Sequence, residues 1–190
     1  GRFQKYKDGI QWLRDKATAA GAGVIHLTPP TYDSVSAKGK APYYNDVLGA
    51  YAAWLLDQRA QGWQVIDIHQ PMNAALAARR KSDPGFAYAK DGVHPNPEGH
   101  WVMARQILEA WGVNHDYQLD DFTQPTGRLS ALRSLVAKRL HVLGAAYLSE
   151  AGHKRPGVAP GLPMEKAKAQ AAELTPQLAA LRNGETKAPA

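Results

Sequence analysis

Val24-Ile25-His26-Leu27-Thr28-Pro29-Pro30 is a short apolar, β-branched run closed by two prolines. Its hydrophobic side chains follow one another without alternating, the pattern of a strand covered on both faces in a parallel sheet. Upstream, Tyr6, Ile10, Leu13, Ala17 and Ala20 recur at helical spacing over residues 4–20, and Gly21 lies just past the end. Downstream, Val47, Leu48, Tyr51, Trp54 and Leu55 form a second helical stripe that stops near Gln61-Gly62. Trp63-Gln64-Val65-Ile66-Asp67-Ile68-His69 then reads as a second strand. Two helix–strand units with short glycine turns imply right-handed crossovers into a parallel sheet. Asp67 and His69 fall at the carboxyl end of that strand, where they either face a crevice or bond to the adjoining loop.

Between the units, residues 31–42 form a polar loop carrying Asp33, Ser34, Ser36, Lys38 and Lys40. Such loops line ligand crevices in open α/β folds, so this one either shapes a substrate site or is a solvated connection. Asn45 is placed to cap the helix that follows it. Residues 70–81 read as an Ala-rich helix beginning near Pro71, and Ser82-Asp83-Pro84-Gly85 turns the chain.

The turn leads to Asp91-Gly92-Val93-His94-Pro95-Asn96-Pro97-Glu98-Gly99-His100. Gly92 permits backbone conformations closed to other residues, and Pro95 holds His94 towards an extended backbone. Asn96 is an N-cap with Pro97 at the first helical position. Trp101, Met103-Ala104, Ile107-Leu108 and Trp111 then recur at helical spacing until Gly112. An acid and an imidazole three residues apart, at the mouth of a helix whose N–H groups point outward, suit acid–base chemistry. A surface Asp-Gly turn with an incidental histidine is the structural alternative. A metal site on Asp91, His94 and His100 fits less well: the two histidines are six apart with prolines between, not i, i+4 on one helix face.

Asp-Gly-Val-His-Pro-Asn, followed by Gly-His and a Met-Ala helix, resembles the last conserved block of the SGNH, or GDSL-type, serine hydrolases. The resemblance implies an α/β fold, part of a three-layer α/β/α sandwich of flavodoxin-like topology, with Thr28-Pro29-Pro30 closing its penultimate strand. It also implies roles: Asp91 orients and stabilises His94, and His94 activates a serine. Ester hydrolysis through an acyl-enzyme is the activity expected of the intact protein, with an acyl or acetyl group on a carbohydrate as substrate and no cofactor. The family's nucleophile block, Gly-Asp-Ser, does not occur in the chain. Ser34, Ser36, Ser82, Ser130, Ser134 and Ser149 all lie in other contexts. Tyr43-Tyr44-Asn45-Asp46 resembles the family's Gly-x-Asn-Asp block, but lacks its glycine and falls on the wrong side of the Thr-Pro-Pro strand. The chain therefore reads as the C-terminal portion of such a hydrolase, its partner being the missing N-terminal half and its free sheet edge prone to association. A non-catalytic binding module for a carbohydrate or other anionic ligand, retaining the loop without a nucleophile, is the alternative.

Length and composition fit this reading. The 190 residues divide into an α/β portion over 1–112, a linker or wrapping loop over 113–127, and a basic helical extension over 128–190. The net charge of +6 lies wholly in the extension, since residues 1–127 carry 13 basic and 13 acidic side chains. In the extension, Leu129, Leu132, Val136, Leu140, Leu143 and Tyr147 form a stripe expected to pack on the α/β portion. Pro163 and Pro176 mark helix starts, and residues after Asn183 are expected to fray. The basic turn His153-Lys154-Arg155-Pro156-Gly157 is either solvated or suited to a sulfated or uronic polymer. No nucleic-acid partner is expected, because aromatic residues do not interleave the charges. There is no apolar run of transmembrane length and no signal peptide at the start, which is Gly-Arg-Phe and reads as a processed product or fragment. Zero cysteines exclude disulfides and thiolate chemistry without deciding the compartment. The family resemblance leans towards a periplasmic or secreted setting.

Overall fold

Helix α1 (Arg2–Ala19) turns Phe3, Tyr6 and Ile10, spaced by three and four, onto α2 (Tyr44–Asp57) and the residues beyond it. Tyr6 stacks on Tyr51 with ring centroids 4.3 Å apart and meets Trp54 edge-on at 5.8 Å. Ile10 packs with Trp54 against buried Leu55, Trp63 and Val65, and the Arg14 guanidinium lies over Trp63 at 4.7 Å. The partly buried face keeps Tyr6, Ile10 and Ala17 of the expected stripe, whereas Leu13 is exposed. The helix stops where Gly21 takes φ +80°.

The described residues are 1–113, 116–154 and 156–184 of a computed structural model, and the chain forms two compact units, Gly1–His115 and Asp116–Ala190. In the first unit, β1 (Ile25–Leu27) pairs in parallel with β2 (Gln64–Ile66), in the register Ile25↔Gln64, His26↔Val65, Leu27↔Ile66. His26 and Val65 face the aromatic core, with the His26 ring stacked on Trp63 at 4.6 Å. On β1 the alternate residues Ile25 and Leu27 remain 44% and 41% exposed. Helices α3 (His69–Ser82) and α4 (Pro97–Ala110) follow, and Met72, Leu76 and Tyr88 form a second buried cluster with Phe86, Val102 and Met103 around it.

This corrects the expected fold class. The described residues are 61% helix and 3% strand, and their only sheet has two strands, so the fold is not a three-layer α/β/α sandwich. Among the described residues two segments pair as strands, each over three residues, while the remaining apolar periodicity is helical. Among the described residues no further strand extends the sheet beyond β1, and β1 is not buried on both faces.

Thr28, just beyond β1, joins the strands to α3. Its hydroxyl accepts from the N–H groups of Ile68 and His69, at 2.7 and 2.9 Å, and donates to Asp67 Oδ1 at 2.8 Å. These bonds satisfy donors at the start of α3 that have no partner within the helix.

The second unit is helical: α5 (Leu119–Thr123), α6 (Arg128–Glu150), α7 (Met164–Glu173) and α8 (Thr175–Arg182). Pro163 precedes α7 directly and Pro176 lies in the first turn of α8, where a missing N–H costs no helical bond. The buried residues of α6 are small, Ser130 and Ala146, and the helix packs on α7 and α8, whose buried positions include Ala167, Ala171, Leu178 and Leu181. Gly161 approaches α6 so closely that a Cβ would lie 2.2 Å from the Ala145 carbonyl carbon. Its N–H donates to Ser149 Oγ at 2.7 Å. Within the second unit, Val136, Leu140 and Tyr147 of the expected stripe are exposed. Asn114, Arg155 of the expected basic turn, and residues 185–190 of the expected frayed end lie outside the described residues.

Candidate active site

Asp91 and His94 occupy the loop that enters α4. Asp91 Oδ2 lies 2.6 Å from His94 Nδ1, while Oδ1 accepts from the backbone N–H groups of Val93 and His94 at 2.9 Å each. The bond from the His94 ring, then those from the two N–H groups, favour the charged carboxylate and hold its pKa well below the usual carboxylate range. A carboxylate only accepts, so Nδ1 carries a ring proton, and in the neutral ring Nε2 is the nitrogen with the free lone pair. The His94 side chain is 85% exposed and that of Asp91 55%, which leaves Nε2 open to an incoming group.

Local chemistry shapes the loop. Gly92 has φ +85°, and a Cβ there would lie 2.6 Å from the Asp33 carbonyl oxygen and 2.7 Å from Ala37 Cβ. Asn96 caps α4: its side-chain oxygen accepts from the Gly99 N–H at 2.8 Å, and its amide donates to the Ala87 carbonyl at 3.1 Å. Gly99 is pressed between Pro95 and Tyr88, so that a Cβ would sit 2.9 Å and 3.1 Å from theirs.

The residues that support this loop are not apparent from the sequence. Asp33 is buried and accepts a two-pronged bond from Arg80, Nη2 to Oδ2 at 2.6 Å and Nη1 to Oδ1 at 3.2 Å. Burial alone pushes the Asp33 carboxyl up, but bonds from Arg80 and Ser36 outweigh it and leave the pKa below its ordinary value. The 31–42 segment is thus packed at Thr31, Tyr32, Asp33 and Ala37, while Val35 and residues 38–42 are exposed. Asn45 does not cap α2. It lies inside the helix, accepts from the Tyr32 N–H at 2.9 Å and donates to Asn73 Oδ1 at 3.0 Å. Asp67 accepts from Thr28 and His69 Nδ1 lies 3.1 Å from the Pro29 carbonyl, so both bond to the loop after β1.

Three of the described serine hydroxyls donate elsewhere, and Ser149 Oγ accepts from the Gly161 N–H. Ser36 donates to Asp33, Ser82 to the Arg79 carbonyl at 3.1 Å, and Ser134 to the Ser130 carbonyl at 3.0 Å. His100 lies exposed in the first turn of α4. Among the described residues, no group of three or more His, Asp or Glu side chains could hold a metal ion. No helix among them is long and apolar enough to cross a membrane. In comparisons with known proteins, the chain matches no family model, no curated protein and no solved structure.

Proposed function

We propose that Asp91 and His94 are the acid–base half of a Ser-His-Asp acyl-transfer site, and that the intact protein hydrolyses esters. The observation that supports this best is the 2.6 Å bond from His94 Nδ1 to an Asp91 carboxylate whose other oxygen is tied to two backbone N–H groups. Held this way, the ring presents Nε2 as a base: it takes the proton of a serine hydroxyl as the oxygen attacks the ester carbonyl, then returns it to the leaving alcohol. Asp91 stabilises the imidazolium formed in between. The serine and the oxyanion donors belong, in this reading, to a preceding segment of the intact protein, related to the SGNH hydrolases. The wide exposure of His94 suits a short acyl or acetyl group on a hydrophilic carbohydrate. For the intact protein, His94→Ala is expected to abolish turnover of an aryl acetate, and Asp91→Asn to lower it by on the order of 10⁴-fold. Retained turnover in His94→Ala defeats the proposal.

A binding module that keeps the loop without a nucleophile is the second reading. It is favoured by one observation, that no described serine hydroxyl is bonded to His94. A Gly-Asp-Ser upstream in the same reading frame supports the enzyme, and a reading frame that begins near residue 1 supports the module.

A further inference from the structure

We propose that Arg80 and Asp33 are positioning residues for the Asp91–His94 pair, clamping the chain segments from which its loop springs. This rests on reading that pair as the acid–base unit. Arg80 reaches both sides of the loop at once. Nη1 and Nη2 hold the Asp33 carboxylate, while Nε donates to the Phe86 carbonyl at 2.9 Å, five residues before Asp91. Asp33 in turn donates its backbone N–H to the Gly92 carbonyl at 3.0 Å, and its own carbonyl lies against the Gly92 Cα. Ser36 donates its hydroxyl to the same carboxylate. Gly92, between Asp91 and His94, is thereby held from the 31–42 loop, and the approach through Phe86 from α3.

The burial is lopsided. The Asp33 side chain is 5% exposed and that of Arg80 22%, whereas the pair they serve stands in water. An exposed ion pair contributes little by itself and is screened by salt, so its geometry depends on the backbone beneath it. A desolvated two-pronged Arg–carboxylate bond defines direction as well as distance, and breaking one partner leaves the other charge uncompensated.

Long-range ¹H–¹⁵N correlation of the histidine rings in the full chain tests the proposal, with His94 assigned through His94→Gln. The ring nitrogens report which of the two carries the proton. Wild type is expected to hold the Nδ1–H tautomer. Asp33→Asn and Arg80→Lys are expected to keep the helical circular dichroism and lose that preference, so that the ring samples both tautomers. Arg105→Ala, which breaks an exposed pair with Glu109 on α4, is expected to leave it intact. If Arg80→Lys does not fold, Asp33→Asn decides, being nearly isosteric. A wild-type tautomer in folded Asp33→Asn overturns the proposal. This readout needs no turnover: an active His94→Ala enzyme sinks the esterase reading alone, and an unchanged tautomer sinks the positioning role alone.

Discussion

Replacing Gly92 with alanine challenges the loop at its tightest point. Two costs apply. An L-residue at φ +85° sits in the left-handed region, at roughly 1–2 kcal/mol. The new Cβ would also stand 2.6 Å from the Asp33 carbonyl oxygen and 2.7 Å from Ala37 Cβ, so backbone has to move. Overpacking of that kind costs about 1–3 kcal/mol. The stiffer unfolded chain offsets roughly 0.4–1 kcal/mol. The expected net loss is about 2–4 kcal/mol, a large share of the stability of an ordinary domain. Urea unfolding followed by tryptophan emission reads it directly, because Trp12, Trp54, Trp63, Trp101 and Trp111 all lie in the first unit. With a slope of about 1–3 kcal/mol per molar urea, the midpoint falls by on the order of 1–3 M. Gly85→Ala is the control: its Cβ would meet only Asp83 Oδ1, at 3.7 Å, with no left-handed φ. A Gly92→Ala midpoint no lower than that of Gly85→Ala would refute the account of how the loop is held.

Thr28→Val keeps the shape of a fully buried side chain but strips the acceptor from the Ile68 and His69 N–H groups. A loss of about 2–4 kcal/mol in the same urea assay is expected, and a loss under about 0.5 kcal/mol contradicts the bonding described. Asp33 predicts a pH dependence. Its folded pKa lies below the unfolded value of about 3.9, so its stabilisation is present above that pH and is lost as pH falls through the folded pKa. Urea midpoints measured from pH 6 downward should therefore decline less steeply in Asp33→Asn than in wild type. Ala41 has φ +46°, and Ala41→Gly relieves roughly 1–2 kcal/mol of left-handed strain against roughly 0.4–1 kcal/mol for the freer unfolded chain, so a small rise in the thermal midpoint is expected and a fall contradicts the strain.

What could be read from the sequence, and what could not, divides by distance along the chain. The Asp91–His94 bond closes within four residues, and the Asn96 cap on Gly99 spans three, so local residue chemistry suffices for both. The same holds for the ends of α1 and α4, where Gly21 and Gly112 take positive φ. Asp33 and Arg80 are 47 residues apart and meet only after α2, β2 and α3 have folded back, so no spacing rule foretells them. Asn45 misleads for the same reason. Its residue type suits a cap, but partners at Tyr32 and Asn73 bind its side chain from outside the helix.

The sheet and α6 show a second limit, which is that burial belongs to a contact and not to a segment. Ile25 and Leu27 have the composition of a doubly covered strand, yet what covers a strand must come from other elements. On α6 the largest apolar side chains mark one stripe, while the buried residues are Ser130 and Ala146; at Ala146 the close Gly161 backbone leaves room only for a small side chain. Hydrophobic periodicity finds that a helix exists, and it identifies the packed face only where size and proximity favour the same residues. On α1 they do at Tyr6 and Ile10, whose contacts with Tyr51 and the Leu55–Trp63–Val65 cluster are well placed for large side chains. On α6 they do not, and within its unit Leu140 is exposed while Ser130 and Ala146 are buried.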